Sequence, residues 1–425
     1  MGRREKATTQ RVRRTWPQRL VLLLSTGTFV ACVVSAAGIW YGNHQLGRIK
    51  RVDIASAPLT PLDTIPKTSV AAISTPTTEA EPKGDIHALN FLVVGSDSRD
   101  CIDRNSPYAG AFVHGGDTGY NSDTIMLIRV DPDSNTAALV SFPRDTWVKL
   151  AGSNASGKIN SVYSAGNPTR LVQTLEQNFK LHVDHYIDID FCAFKDLVDA
   201  VGGVSVPFLN KAFDEFTGLD VESGCHKFGG EEALAYVRSR SYQYYDTEKR
   251  RWIPDLQSDY GRIARQQDFI RRTLQRAIDQ GVRNPSVANK LVNAALARVK
   301  VDLNLRVNDL LLLASRLRSF DPAKLKTYRF DGPFADRAGQ SVILPSLDYP
   351  PNAAVLKLFR GQARLSDAPN VDNLTTTTSS TPSLASTSPT GGSTGSAGST
   401  TSTTAVVDVK DNSLGFVPPN DPSCR

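Results

Sequence analysis

Residues Asn121–Asp145, NSDTIMLIRVDPDSNTAALVSFPRD, decide how this chain folds. Two apolar runs of strand length, Thr124–Val130 and Thr136–Phe142, are joined by the turn-rich Asp131-Pro132-Asp133-Ser134-Asn135, which predicts a β-hairpin in the core of a domain. The ends of the hairpin carry charge. Asp123 stands just before the first strand and Arg144-Asp145 just after the second, so a carboxylate and a guanidinium share one rim of a sheet. Such a rim can be a plain surface ion pair, which contributes little. It can also bind a hard cation and clamp phosphate, because such cations take oxygen ligands and Arg matches phosphate oxygens bidentately.

Working outward, Asn90–Gly95 (NFLVVG) is a short apolar run ending in Gly, consistent with a buried strand that delivers Ser96-Asp97-Ser98-Arg99 to a loop. Asp100–Tyr120, rich in Gly and without an apolar period, reads as a loop over the same place. After the hairpin come Lys158-Ile159-Asn160-Ser161 and a helix over Pro168–Lys180, with Leu171, Val172, Leu175 and Phe179 on one face and Asn167 before Pro168 as its start. Val183–Ile189 reads as a strand, Phe191–Val201 as a helix stopped by Gly202-Gly203, and Val204–Val206 as a further strand. This order predicts an α/β chain of the α+β type, with a central mixed sheet flanked by helices.

Gly230–Tyr236 is helical and runs into Val237-Arg238-Ser239-Arg240. Residues two apart diverge on a helix, so joint action of Arg238 and Arg240 requires the helix to end by about Val237. A long helix opens at Asp259-Tyr260-Gly261-Arg262 and runs to about Gln280, with Arg262, Arg265 and Gln266 on one face. Two more helices follow, over Ser286–Arg298 and Val307–Phe320.

The 425 residues, 40% hydrophobic, can bury one large core or two ordinary ones. Much of the net charge of +6 sits in residues 1–19, a basic head. Leu20–Tyr41 is uncharged, mostly apolar and long enough to cross a bilayer, with Trp16, Trp40 and Tyr41 at its ends. The positive-inside rule then leaves the head in the cytoplasm and the remainder outside, as a single-pass type II protein; the competing signal peptide has too long an apolar run. Residues 42–87 read as a Pro/Thr/Ser-rich stalk, 88–365 as the folded domain with its motifs within 89–280, and 366–425 as a disordered Thr/Ser/Gly-rich tail. Cys101, Cys192, Cys225 and Cys424 lie where disulfides persist. Three pairings are possible, with Cys192–Cys225 preferred and Cys101 joined to Cys424 or unpaired. No C-x-x-C spacing supports a thiolate metal site.

Five blocks together go beyond pattern: VGSDSR (94–99), SDTIML (122–127), FPRDT (142–146), ALAYVRSR (233–240) and DYGRIARQQ (259–267). With Lys158-Ile159-Asn160 and Asp199–Val204 in the same order, the chain resembles the LytR-CpsA-Psr family over about Leu89–Gln280. That resemblance implies a membrane-anchored extracellular enzyme that takes a glycopolymer from a polyprenyl-pyrophosphate carrier. It transfers the sugar phosphate to a muramic acid 6-hydroxyl of peptidoglycan using Mg²⁺, with the lipid in an apolar tunnel. It further implies that Asp97 and Asp123 serve the magnesium, that Arg144 is catalytic with them, and that Arg144, Lys158, Arg238, Arg240, Arg262, Arg265 and Gln266 hold the pyrophosphate. The chain departs from the family at Asn121, where Arg is common; Arg99 or Arg104 could supply the missing contact.

The set makes sense as charge compensation. A pyrophosphate diester gains negative charge on its leaving oxygen as the bond breaks, which several Arg and a metal would stabilise. Asp97 or Asp145 could instead accept the proton of the attacking hydroxyl. No His has a triad arrangement. The alternatives are a polyprenyl-pyrophosphate hydrolase and a non-catalytic carrier-lipid-binding protein. A nucleic-acid-binding regulator is disfavoured, since a head of nineteen residues is too short for a folded reader.

Overall fold

The computed structural model describes residues 50–54, 85, 87–97, 101, 103–113, 122–163, 168–281, 285–317, 319–369, 418, 419, 421, 423 and 424, which fall in one compact unit, Lys50–Arg425. The predicted head and membrane span lie outside the described residues. Among those described, no helix is long and apolar enough to cross a membrane.

In chain order the elements are β1 (Lys50–Val52), β2 (Leu89–Ser96), α1 (Gly110–Val113), β3 (Ser122–Asp131), β4 (Thr136–Phe142), β5 (Trp147–Lys149) and β6 (Ser156–Lys158). Next come α2 (Thr169–Phe179), β7 (His185–Asp190), α3 (Phe191–Ala200), β8 (Val204–Phe208), β9 (Ala212–Asp214), β10 (Leu219–Val221), β11 (Gly224–Phe228) and α4 (Gly230–Arg238). The chain continues through β12 (Gln243–Asp246), β13 (Arg251–Pro254), α5 (Asp259–Gly281), α6 (Pro285–Arg298) and β14 (Lys300–Asp302). It closes with α7 (Val307–Arg316), β15 (Lys326–Arg329), β16 (Phe334–Arg337), β17 (Gln340–Ile343) and α8 (Pro350–Phe359).

The predicted hairpin, β3–β4, lies within the main sheet, beside its central strand β2, in a seven-stranded mixed order β1-β14-β7-β2-β3-β4-β15. β3 pairs antiparallel with both β2 and β4, whereas β2 runs parallel to β7. Alternation along the strands divides their side chains between two faces. Leu92, Val94, Ile125, Leu127, Ala138, Val140 and Phe142 join Leu171, Leu175 and Phe179 of α2 and Leu358 and Phe359 of α8 in one core. A second core gathers Phe191, Val198, Leu234, Tyr236 and Phe269 of α3, α4 and α5 with residues of the small sheets.

Three readings of the sequence need correction. The disulfides are Cys101–Cys192 and Cys225–Cys424, not Cys192–Cys225. Cys192 is fully buried in α3 while Cys225 lies on the exposed β11, so the fold separates the two that sequence brings closest. The stalk contributes structure: Lys50–Val52 pairs with β14, and Ile54 is buried in the first core. The tail is tied back at its end, where Cys424 is 3% exposed and the Arg272 Nη2 donates to the Pro419 carbonyl at 2.9 Å.

Candidate functional site

Asp123 owes its direction to an irregularity in the sheet. The register of β2 and β3 shifts between Gly95, opposite Thr124, and Ser96, opposite Ser122. Asp123 is the residue without a partner on β2, and such a bulge re-aims a side chain. In unbroken alternation Asp123 would share the core face of Ile125 and Leu127; instead it lines a pocket together with Thr124. Gly95 permits the close pairing, because a Cβ there would sit 2.9 Å from that of Thr124.

Arginines from three elements converge on this carboxylate. Arg144, just past β4, donates through Nη1 to Asp123 Oδ1 at 2.8 Å. Arg238, the last residue of α4, donates to Oδ2 at 3.2 Å, and Arg240 to Oδ1 at 3.1 Å. The helix therefore stops one residue later than predicted, and the two arginines still meet. Arg262, 2% exposed in the first turn of α5, donates to the Asp123 carbonyl at 3.1 Å. Burial disfavours the Asp123 anion, yet the fields of Arg262, Arg240, Arg238 and Arg144 hold its carboxyl well below the usual carboxylate range. Burial, together with the neighbouring Arg262, pushes the Arg240 guanidinium down to about 10. The cluster carries more positive than negative charge, which suits a polyanion.

Asp259 is a member of this site that sequence reading passed over. Its carboxylate lies 2.6 Å from Arg262 as an ion pair and faces Arg240 and Arg144 at 3.9 and 4.0 Å. Its position three residues before Arg262 on a helix was the available signal.

Other expected members sit elsewhere. Arg265 is fully buried and donates to Asp255 Oδ2 and the Ser239 carbonyl, both at 2.7 Å, with its guanidinium over the Tyr242 ring. It holds the backbone between Arg238 and Arg240. Gly261 lets α5 approach Asp255, whose Oδ2 would lie 1.8 Å from an added Cβ. Gln266 bonds the Val237 carbonyl at 3.2 Å and lines the pocket. Lys158 pairs with Asp145 at 2.7 Å, and Asp145 in turn faces Arg144 at 3.6 Å. Asp97 follows β2, and its charge acts on Arg238. Asn121 and Arg99 lie outside the described residues; Arg104 is exposed.

The pocket is an apolar cavity of about 130 Å³ between the main sheet and α3, α4 and α5. Val93, Met126, Ile189, Phe191, Phe194, Leu234, Phe269 and Ile270 form its walls, and Asp123, Arg238 and Arg262 its charged mouth. Arg238 joins the two environments, its guanidinium lying 4.2 Å from the centre of the Phe191 ring. Such a space can take a molecule with an anionic head and an apolar tail.

The donor set also suits a divalent cation. Among the described residues no group of three or more His, Cys, Asp or Glu could hold a metal ion, so a protein cage of carboxylates is not what the site offers. Asp97 and Asp123 both act on Arg238, and two carboxylates are the kind of hard oxygen donor that could hold such an ion together with waters.

The model of the LytR_cpsA_psr family matches residues 65–349. The chain is 32% identical over 244 residues to the probable cell wall biosynthesis protein LcpB of Corynebacterium glutamicum, covering 57% of this chain and 55% of that one. It is 32% identical over 221 residues to the polyisoprenyl-teichoic acid–peptidoglycan teichoic acid transferase TagV of Bacillus subtilis, covering 50% and 52%. The chain thus spans about half the length of these relatives. Among solved structures, the LytR-Csp2A-Psr enzyme from Actinomyces oris superposes with a TM-score of 0.52 at 21% identity, over 74% of this chain and 96% of that one, a likeness of fold.

Proposed function

The chain belongs to the LytR-CpsA-Psr family, and on that premise we propose that it is a phosphotransferase that attaches a glycopolymer from a polyprenyl-pyrophosphate carrier to the muramic acid 6-hydroxyl of peptidoglycan. In this reading residues 1–19 are cytoplasmic, 20–41 span the membrane as a type II anchor, and the folded domain, to which Lys50–Val52 adds an edge strand, works outside the cell. The observation that carries the proposal is the meeting of an apolar cavity with a ring of guanidinium groups at Asp123.

The lipid occupies the cavity, and the pyrophosphate lies at its mouth. Arg144, Arg238, Arg240 and Arg262 bind the phosphate oxygens, exchanging part of their contact with Asp123 for the substrate. Arg265 and Gln266 position the Arg238–Arg240 segment, and Lys158 extends the positive rim. Asp97 and Asp123 would hold a Mg²⁺ ion, which neutralises charge on the phosphates when bound. The sugar 6-hydroxyl attacks the phosphorus on the glycan side, a new P–O bond forms, and the bond to the bridging oxygen breaks. The polyprenyl phosphate leaves with that oxygen, whose growing charge the fixed guanidinium groups stabilise without reorganising. With Asp97 given to the metal, Asp145 takes the hydroxyl proton in this reading.

The test is transfer of labelled glycan from such a donor to peptidoglycan by the purified full chain with Mg²⁺. Arg240→Ala should lower the rate at least about a hundredfold, the loss expected for one phosphate-stabilising donor. Release of glycan phosphate at the same rate without peptidoglycan would favour a hydrolase instead.

A further inference from the structure

The sheet β10-β9-β12-β13 has one face that the proposed chemistry does not use. Its inner face, with Ala212, Leu219, Val221, Tyr244 and Ile253, packs on the second core. The register of the strands places Phe213 beside Gln243, Gln243 beside Pro254, and Tyr245 beside Trp252, all on the outer face. There the Trp252 ring stands 5.5 Å from Tyr245 and 5.9 Å from Phe213, and Trp252 is 37% exposed. Asp220, opposite Phe213, and Gln243 supply polar edges to this row.

The open end of the β12–β13 hairpin, where Gln243 pairs with Pro254, joins the anion site along the chain. β12 begins three residues after Arg240, and β13 ends five residues before Asp259. The 2.7 Å bond from the Asp255 amide to the Tyr242 carbonyl closes its base, and the buried Asp255–Arg265 ion pair locks that base to α5. An aromatic row on a hairpin that follows Arg240 in the chain, with hydrogen-bonding edges, suits a molecule that has flat C–H faces and hydroxyl rims. Ring faces attract polarised C–H groups, and Tyr and Trp provide large contact at low entropic cost. That description fits a saccharide chain.

The direction of the substrate selects which saccharide. A pyrophosphate diester has a lipid end and a glycan end. Arg238 lines the apolar cavity, whereas Arg240 does not and is 36% exposed. With the lipid on the Arg238 side, the glycan leaves past Arg240, and along extended chain Tyr245 lies within ~17 Å of it. We propose that Phe213, Tyr245 and Trp252 form a subsite for the sugar chain of the carried glycopolymer, extending donor recognition beyond the pyrophosphate. This inference rests on the transferase reading above.

The full chain is assayed with two donors that share one polyprenyl pyrophosphate: one carries a single sugar, the other an oligosaccharide of the cell's own wall polymer. The wild type should show a KM for the oligosaccharide donor about tenfold below that for the single-sugar donor, the worth of one or two aromatic contacts. Trp252→Ala and Tyr245→Ala should collapse that ratio towards one, and Trp252→Phe should restore most of it; thermal melting confirms that each variant is folded. A wild-type ratio of one, or a ratio untouched in Trp252→Ala, overturns the subsite while transfer itself still stands. A Trp252→Ala effect confined to affinity for soluble peptidoglycan fragments overturns the donor assignment. Absence of any binding of the single-sugar donor by the wild type strikes the transferase reading instead.

Discussion

Asp123 and Arg144, twenty-one residues apart, close the open end of the central hairpin with a 2.8 Å hydrogen-bonded ion pair. The same carboxylate is shared by Arg238 and Arg240, so a substrate phosphate competes with Asp123 for guanidinium groups. Asp123→Asn should therefore bind inorganic pyrophosphate more tightly than the wild type in the absence of metal, yet lose transfer activity. It should also be less stable by about 2–3 kcal/mol, because the arginines lose their partly buried counter-charge. Calorimetric titration with pyrophosphate, beside a thermal melt, checks both signs. Weaker pyrophosphate binding in the variant would show that Asp123 does not compete.

The Arg265–Asp255 pair tests the division between binding and positioning. Both side chains are fully buried at 2.7 Å. Removing one partner strands the other charge, so Asp255→Asn or Arg265→Ala should cost about 3–5 kcal/mol in urea unfolding. Arg240→Ala, at a partly exposed position, should cost about 1 kcal/mol or less. Loss of activity in Arg265→Ala with stability intact would return Arg265 to direct phosphate contact.

The contrast between these arginines marks the limit of what the sequence discloses. The hairpin was legible because a period of two and a turn cluster are local signals. The Arg238, Arg240 and Arg262 set was legible from motif resemblance and helix spacing. Spacing placed Arg265 on the same helical face, but one face meets several neighbours, and only the fold shows that Arg265 turns to Asp255 while Arg262 reaches Asp123. The bulge at Asp123 depends on the pairing of Ser122 with Ser96 across the sheet, and no local pattern encodes it. The strands β9, β10, β12 and β13 are three or four residues long, too short to show a period, so the aromatic row went unseen. The disulfides join residues 91 and 199 positions apart, and pairing over such distances follows from the fold alone.

A pH dependence is expected at His182. The carboxylates of Asp184 and Glu176, 3.4 and 3.7 Å from its ring nitrogens, push its imidazole up from 6.5 to about 10. A base raised in the folded state adds stability that is complete below pH 6.5, declines as pH rises, and is gone above about 10. The melting temperature of the wild type should therefore exceed that of His182→Gln most at pH 6 and below, with the gap closing towards pH 10. The ring is 45% exposed, so added salt should narrow the gap throughout. A gap that widens with pH would mean that the ring is held neutral.

The cavity provides the last test, because it separates recognition of the lipid from recognition of the pyrophosphate. Ile270 lines its wall on α5, two turns beyond Arg262. Ile270→Trp adds bulk to a space of about 130 Å³ and should exclude much of a polyprenyl tail. Its charged mouth at Arg238 and Arg262, with Arg144 and Arg240 beyond it around Asp123, would be left in place. Burial of apolar surface contributes about 25 cal/mol per Å², so losing contact with even one isoprene unit should weaken binding by at least about tenfold. Affinity for inorganic pyrophosphate should stay within about twofold of wild type. Titrating both ligands into the variant gives the answer: equal loss for the two would mean that the substitution had disturbed α5 as a whole, and no loss for the lipid would place the tail outside this cavity.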